Sequence, residues 1–416
     1  MPIRIKLQWG RVLEAGADQG GRMDLVVETP GGERRKAVAY PVLLGTAPAP
    51  GQRVLLNQTA AALKLGSGSG DLVLAVAPEE PEEAGGPSEP GAAGSPGLAS
   101  PGSAWDHSQG HIMKLRYTGL QFSCLSVEEE ASPYRQALQE AEQRGLEGMP
   151  VVLGTLHSHL LPAVLGLEAA GAPRVAYIMT DGAALPLVFS QVVRHLRSQG
   201  HLAGTITYGQ AFGGDLEAVN KFSALLASRA ALRAQVAVVT MGPGIVGTGT
   251  LWGHTAVEQG ELVDAVNTLG GRPVVIPRLS FADPRQRHRG LSHHFLTALG
   301  KVAHSPADIV LPAELTTEQR ACVEEQIRSA GLLQPARWRS QPHRLWWQPV
   351  PFLPAALEAW PWPDGKRTMG RSWSEDPALF AAAAAAGYWA GQLLREGHDP
   401  LPGNPTDTEK TEKDAE

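Results

Sequence analysis

The chain has 416 residues, is 43% hydrophobic and 19% charged, and carries a formal net charge of −6 with two cysteines, Cys124 and Cys322. This balance suits a folded protein of two or three domains with a full core. It argues against wholesale nucleic-acid binding, since no long basic run could neutralise a phosphate backbone, and against a disulfide framework, which points to a reducing cytoplasm. No run of about 18 apolar residues occurs, so no membrane span is expected. Met1–Trp9 alternates charged and apolar residues and does not read as a signal peptide.

Residues 1–77 read as a small all-β barrel. Ile3, Ile5, Leu7 and Trp9 share one parity and predict the buried face of a first strand; Met23, Leu25 and Val27 repeat the alternation against Asp24 and Glu28. Glycine pairs at Gly20-Gly21 and Gly31-Gly32 punctuate these runs. Further strands are expected at Ala37–Leu44, Arg53–Asn57 and Asp71–Ala77, enough for a closed barrel. Residues 78–108 are rich in Gly, Pro, Ser and Ala, cannot bury a core, and predict a disordered linker.

Order resumes near His111 with a strand-like Met113–Ser126. From Val151 the chain alternates apolar strands with helices. Strands are expected at Val151–Thr155, Arg174–Met179, Gly204–Thr207, Gln235–Thr240, Arg272–Ile276 and Asp308–Leu311. Helices are expected at Leu160–Ala170, Pro186–Ser198, Leu216–Arg229, Val257–Leu269 and His293–Val302. Continuously apolar strands between helices predict a parallel sheet covered on both faces, a doubly wound, Rossmann-like three-layer α/β domain over 109–396. Beyond 312 the pattern weakens to a capped helix, Thr316–Ala330, an edge strand near Leu345–Phe352, and an alanine-rich helix, Pro377–Leu394, able to approach a neighbour closely. Residues 397–416 predict a disordered tail.

The strings Ala37–Tyr40, Arg53–Thr59, Gly110–Tyr117, Leu156–Pro162, Tyr177–Pro186, Thr205–Asn220, Met241–Thr250 and Pro277–Leu299 resemble a bacterial family, domain of unknown function 3866. The resemblance covers most of 1–77 and 110–310 and implies no activity, so chemistry has to be read from the residues.

Ligands of open parallel sheets bind beyond the carboxyl ends of the strands. Five polar turns are expected there. Met241–Thr250 contains Gly242, Gly244 and Gly247 in a G-x-G-x-x-G arrangement, followed by Thr248. Backbone N–H groups in such a turn can cradle an anion. The spacing also fits a dinucleotide, although the acid expected about 20 residues later is absent; Arg278 stands there and would suit the 2′-phosphate of NADP. A nucleotide-binding P-loop fails, because Thr248 replaces the required lysine. Gly213 and Gly214 precede Asp215, a candidate N-cap, and offer a second anion contact.

His157 and His159, if extended, would point to one side of the chain, ready for metal ligation, acid–base work or anion contact. Asp181 could be a base, a metal ligand or a ribose acceptor. Pro277–His294 brings Arg278, Asp283, Arg285, Arg287, His288, Arg289, Ser292, His293 and His294, with arginines suited to phosphate or carboxylate. Ser158, Ser292 and Thr248 are nucleophile candidates without a supporting motif.

The expectation is therefore an enzyme acting on an anionic, perhaps phosphorylated, small molecule by hydrolysis or group transfer. His157, His159, Asp181 and His293 are its candidate catalytic groups. Gly242, Gly244, Gly247, Thr248, Gly213, Gly214, Arg278, Arg285 and Arg289 are its candidate ligand contacts. A divalent metal would draw on His157, His159, Asp181, Asp283 or His294. The alternatives are a non-catalytic metabolite sensor or scaffold and an NADP-dependent oxidoreductase. A homo-oligomer or protein partner could engage the barrel or the alanine-rich helix.

Overall fold

A computed structural model describes residues 6–58, 70–78, 110–115, 122–172, 174–183 and 186–395. The expected linker after Pro78, the expected tail, and Ile3 and Ile5 lie outside the described residues.

Five strands, β1 (Leu7–Ala15), β2 (Met23–Glu28), β3 (Arg34–Ala39), β4 (Arg53–Asn57) and β5 (Asp71–Val76), close a barrel in the order β1-β2-β3-β5-β4. The alternation of β2 holds, with Met23, Leu25 and Val27 buried. That of β1 does not: Leu7 and Trp9 are exposed, and Gly10 and Val12 face inward. The cause is close strand approach. A Cβ on Gly10 would lie 2.5 Å from Val27 Cγ1, so only glycine fits the inner face there. Trp9 lies under the Arg53 guanidinium, 5.2 Å from its ring centre. Arg22 ties the barrel to the rest of the chain by donating from Nη1 to the Phe189 carbonyl at 3.1 Å.

The expected strand at Met113–Ser126 is instead an antiparallel pair, β6 (Ile112–Lys114) with β7 (Phe122–Cys124). The main sheet then takes β8 (Pro150–Gly154), β9 (Val175–Thr180), β10 (Gly204–Tyr208), β11 (Leu216–Ala218), β12 (Val236–Met241), β13 (Arg272–Val275), β16 (Asp308–Pro312) and β17 (Arg344–Gln348). A two-stranded hairpin, β14 (Leu279–Ser280) with β15 (Gly290–Leu291), intervenes in the chain. The sheet order is β11-β10-β9-β12-β8-β13-β16-β17, and every pairing is parallel. The strands carry the apolar runs expected of a sheet buried on both faces.

One face is covered by α1 (Arg135–Arg144), α4 (Lys221–Ala230), α5 (Glu258–Thr268), α6 (His293–Thr297) and α7 (Thr317–Ser329). The other is covered by α2 (Leu160–Ala169), α3 (Gln191–Ser198), α8 (Leu353–Ala359) and α9 (Pro377–Arg395). The fold is thus a doubly wound, three-layer α/β arrangement preceded by a barrel. Among the described residues no helix is long and apolar enough to cross a membrane.

Two expectations change here. The helix foreseen from Leu216 starts at Lys221, capped by Asn220 Oδ1, which accepts from Phe222 N at 2.8 Å and Ser223 N at 3.2 Å. Residues Leu216–Ala218 form an edge strand because Glu217 pairs with the buried Lys114 at 3.1 Å. Asp215 caps no helix; it accepts from Thr205 N at 2.8 Å.

The alanine-rich helix α9 does approach a neighbour closely, but the neighbour is α2 of its own chain. It is therefore core and not an open surface for a partner. A Cβ on Gly387 would sit 2.0 Å from the Ala163 carbonyl oxygen, and one on Gly166 would sit 2.2 Å from that of Ala384. Gly387→Ala is expected to cost about 1–3 kcal/mol by overpacking, read as a lower urea midpoint at unchanged slope; an unchanged midpoint would refute this packing.

Candidate functional site

The strand order places the site. From β8 the chain moves through α2 to β9, towards one edge; from the adjacent β12 it moves through α5 to β13, towards the other. Neighbouring strands whose connections leave on opposite faces open a crevice beyond their carboxyl ends. The segments after β8, β12 and β13 line it.

After β12, Met241–His254 does not run into a helix. It folds back on itself: Thr255 N donates to the Val246 carbonyl at 3.0 Å and Thr248 N to the Gly253 carbonyl at 2.8 Å. Gly242 is buried at the strand end, Gly244 takes a positive φ of 118°, and Gly247 and Thr248 stand exposed on the outgoing arm. The tip carries Val246, Leu251 and Trp252, all exposed. Helix α5 begins only at Glu258, so the glycines do not sit at a helix N-terminus and the dinucleotide geometry is not formed. This returning arm brings His254 back to the rim, opposite Gly247.

After β13, the β14–β15 hairpin pairs Ser292 N with the Arg278 carbonyl at 2.9 Å. That register sets Arg278 beside the start of α6, where Ser292 Oγ caps His294 N at 3.2 Å. His254, His288, His293 and His294 converge here. The ring centres of His254 and His294 are 4.1 Å apart and stacked, those of His293 and His294 are 4.4 Å apart, and His288 lies 5.1 Å from His293. Arg278 donates from Nη1 to His294 Nδ1 at 3.1 Å. His254 donates from Nε2 to the Leu251 carbonyl at 3.1 Å, leaving its Nδ1 lone pair buried and without a partner among the described residues. His293 Nε2 is likewise buried and unpartnered, and His288 Nδ1 bonds Ser292 Oγ at 2.7 Å. Burial first, with Arg278 adding to it in each case, pushes all four histidines down from their ordinary value and favours the neutral rings.

Arg278 is 3% exposed. Burial, then Arg285, pushes its guanidinium down to about 10. Asp283, the carboxylate that acts on it, is already committed: it accepts from Arg285 Nε at 2.9 Å and Nη2 at 2.8 Å, and pairs with Arg371 at 3.5 Å. Arg371 also donates to Asp376 Oδ2 at 2.9 Å, which accepts from Ser280 Oγ at 2.7 Å. Both oxygens of Asp283 are therefore engaged in an arginine network. Arg287 lies against Gly249 at the glycine loop, whereas Arg289 is exposed and anchored at the hairpin turn.

The other expected groups stand apart or are engaged elsewhere. His157–His159 is a single 3₁₀ turn, so the two rings do not share a side as an extended chain would place them. His157 bonds Ser190 Oγ at 2.6 Å and Tyr177 Oη at 3.2 Å, bracing the cap of α3. His159 is fully buried with both nitrogens unpartnered among the described residues; burial, then Arg278, pushes it down to about 3. Asp181 accepts from Gln210 N at 2.7 Å and Ala211 N at 3.2 Å, tying the turn after β9 to that after β10. Gly213 N donates to Glu217 Oε1 at 2.6 Å and Gly214 N to Thr207 Oγ1 at 3.0 Å, so neither amide is open to an anion. Thr248 Oγ1 is spent within its own loop, on the Gly253 carbonyl at 3.0 Å, and Ser158 bonds Thr368 at 2.7 Å.

The structure thus joins Gly247, Arg278, His288, His293 and His294 from the expected segments and adds His254, with Arg371 in the network behind them. His254 carried one legible signal, a histidine closing a glycine-rich rim loop. Arg371 and Asp376 carried none, because they come from a segment without strong periodicity. The chain matches the family model described as "Protein of unknown function (DUF3866)" over residues 36–387, so the match runs through most of α9 but begins after β2. No curated protein matches the chain.

The Asp283 network has a pH consequence. Burial would raise this carboxyl, but the Arg285 hydrogen bonds overcome it and hold it well below the usual range. A lowered folded-state pKa contributes stability above the unfolded value of about 3.9 and loses it as the pH falls towards the folded one. Asp283→Asn should lower the melting temperature at pH 7, and the gap to wild type should close in acid below about pH 3. A gap independent of pH would contradict this assignment.

Proposed function

The chain belongs to the family of proteins of unknown function DUF3866, and on that premise we propose that it is an enzyme acting on an anionic, phosphate- or carboxylate-bearing small molecule at the carboxyl rim of its sheet, by hydrolysis or group transfer. The observation that carries this reading is the state of Arg278. A buried charge left without compensation costs several kcal/mol. Among the described residues, two other buried charges are matched. Asp308 accepts from Arg272 at 2.8 Å and Trp389 at 3.0 Å, and Arg339 donates to five carbonyls, that of Leu299 at 2.9 Å among them. Among the described residues Arg278 donates to a single neutral imidazole and has no acid of its own, with Arg285, Arg287 and Arg371 adding like charge. An anionic ligand would supply the missing charge, and the planar guanidinium suits its paired oxygens.

The histidines supply the chemistry. In a hydrolysis, a water oxygen forms the new bond to the phosphoryl or carbonyl centre and its proton passes to an imidazole nitrogen. The leaving group takes a proton as its own bond breaks. His159, acted on by Arg278 and with both ring nitrogens unpartnered among the described residues, offers an acceptor for such a proton.

Inorganic phosphate is expected to raise the melting temperature of the wild type. Arg278→Met is expected to be at least as stable without phosphate, since it removes an uncompensated buried charge, and to lose the phosphate-dependent shift. An equal shift in both proteins would dispose of Arg278 as the anion contact. His159→Gln should keep the shift and lose turnover of phosphate monoesters or carboxylic esters. If the wild type turns over neither class while phosphate still binds, the enzyme reading fails and a binding protein remains.

A further inference from the structure

We propose that His254, His293 and His294 bind one divalent transition-metal ion of the Zn²⁺ class, and that an anion at Arg278 must bind with it. This rests on the reading that the anion contacts Arg278. The potential ligand atoms of the three histidines all lie within 4.8 Å of one another. His254 has the arrangement of a metal-ligating histidine: its Nε2–H is spent on the Leu251 carbonyl at 3.1 Å, which fixes the tautomer and leaves a buried lone pair on Nδ1. His293 offers a second buried ring nitrogen without a partner among the described residues, Nε2. Gly247 leaves room beside the third ring, since a Cβ there would lie 2.9 Å from His294 Cε1 and Nε2. Three imidazoles suit Zn²⁺, Co²⁺, Ni²⁺ or Cu²⁺ over Mg²⁺ or Ca²⁺, and three protein ligands leave a position open for water or a substrate oxygen.

His294 explains why the anion is needed. A neutral imidazole has one nitrogen lone pair, and that of His294 accepts from Arg278 Nη1 at 3.1 Å. The ring cannot ligate a cation while the guanidinium holds that lone pair. An anion that draws Arg278 onto itself frees His294, and its negative charge offsets the repulsion between a dication and Arg278, Arg285 and Arg287. The two ligands are therefore coupled, each raising the affinity of the other.

The test uses the full chain, freed of metal by a chelator and titrated with Co²⁺ by visible absorption and with Zn²⁺ by calorimetry, each with and without inorganic phosphate. The expected result is one metal per chain, bound about tenfold or more tighter when phosphate is present. His254→Ala and His293→Gln should each weaken it by about tenfold or more, whereas His304→Ala, at an exposed histidine away from the cluster, should not. Two variants guard against one failing to fold, and each is checked by its melting curve. Metal binding unaffected by either cluster variant, or equal with and without phosphate, overturns the proposal. Absence of metal binding, with the phosphate-dependent thermal shift retained, overturns it and leaves the anion reading standing. Loss of both phosphate and metal binding in the wild type ends both.

Discussion

Two adjacent strands, β12 and β8, send their chains to opposite faces of the sheet, and the rest of the rim depends on that divergence. Because α2 follows β8 on one face and α5 follows β12 on the other, the segments that leave these two strand ends diverge. The glycine-rich return arm from β12 and the β14–β15 hairpin after β13 fill its sides. Gln259 of α5 reinforces the floor: its Nε2 donates to the carbonyls of Leu153 at 2.8 Å and Ile276 at 3.1 Å, clamping the ends of β8 and β13 together. The side chains at the rim therefore project from anchored backbone, the condition a binding constellation needs.

The distribution of buried charge separates scaffold from site. At the β10–β11 edge, Lys114 and Glu217 satisfy each other, and Lys114 also donates to the Gly209 carbonyl at 2.8 Å and the Ala211 carbonyl at 3.0 Å. Behind the cluster, Asp283, Asp376, Arg285 and Arg371 form a closed network that holds the hairpin. These groups are fully engaged and read as structure. Arg278, His254 and His159 are buried and His293 is half-buried with its Nε2 enclosed, each with hydrogen-bonding capacity left over among the described residues. Natural interiors leave few such groups without partners, and those that remain gather where a ligand or water completes them. His159 and Thr155 Oγ1, at the end of β8 and without partners among the described residues, extend this polar surplus.

Much of the architecture was legible because it rests on local patterns. Apolar runs located the central strands, and Thr316 with Gln319 announced the capping box that starts α7. The alternation rule failed in β1, where a glycine on the inner face reversed which parity is buried. It failed again at Leu216–Ala218, where a buried ion pair with Lys114 outweighed helix propensity. The candidate site was half legible: Arg278, His293 and His294 follow from residue type near a strand end, but His157, Asp181, Gly213 and Gly214 have the same types in the same kinds of turn and prove to be engaged in bracing the loops.

By itself the sequence determined that an apolar, two-faced parallel sheet would form and that its polar turns would lie at the strand ends, because hydrophobic periodicity and turn chemistry are properties of neighbouring residues. Only the tertiary structure decided which turns meet. Strand order, hairpin register and the return of the glycine loop bring His254 to residues about forty positions away and leave Arg278 without an ion-pair partner among the described residues. Those outcomes depend on contacts between distant segments, whose energies no local window contains.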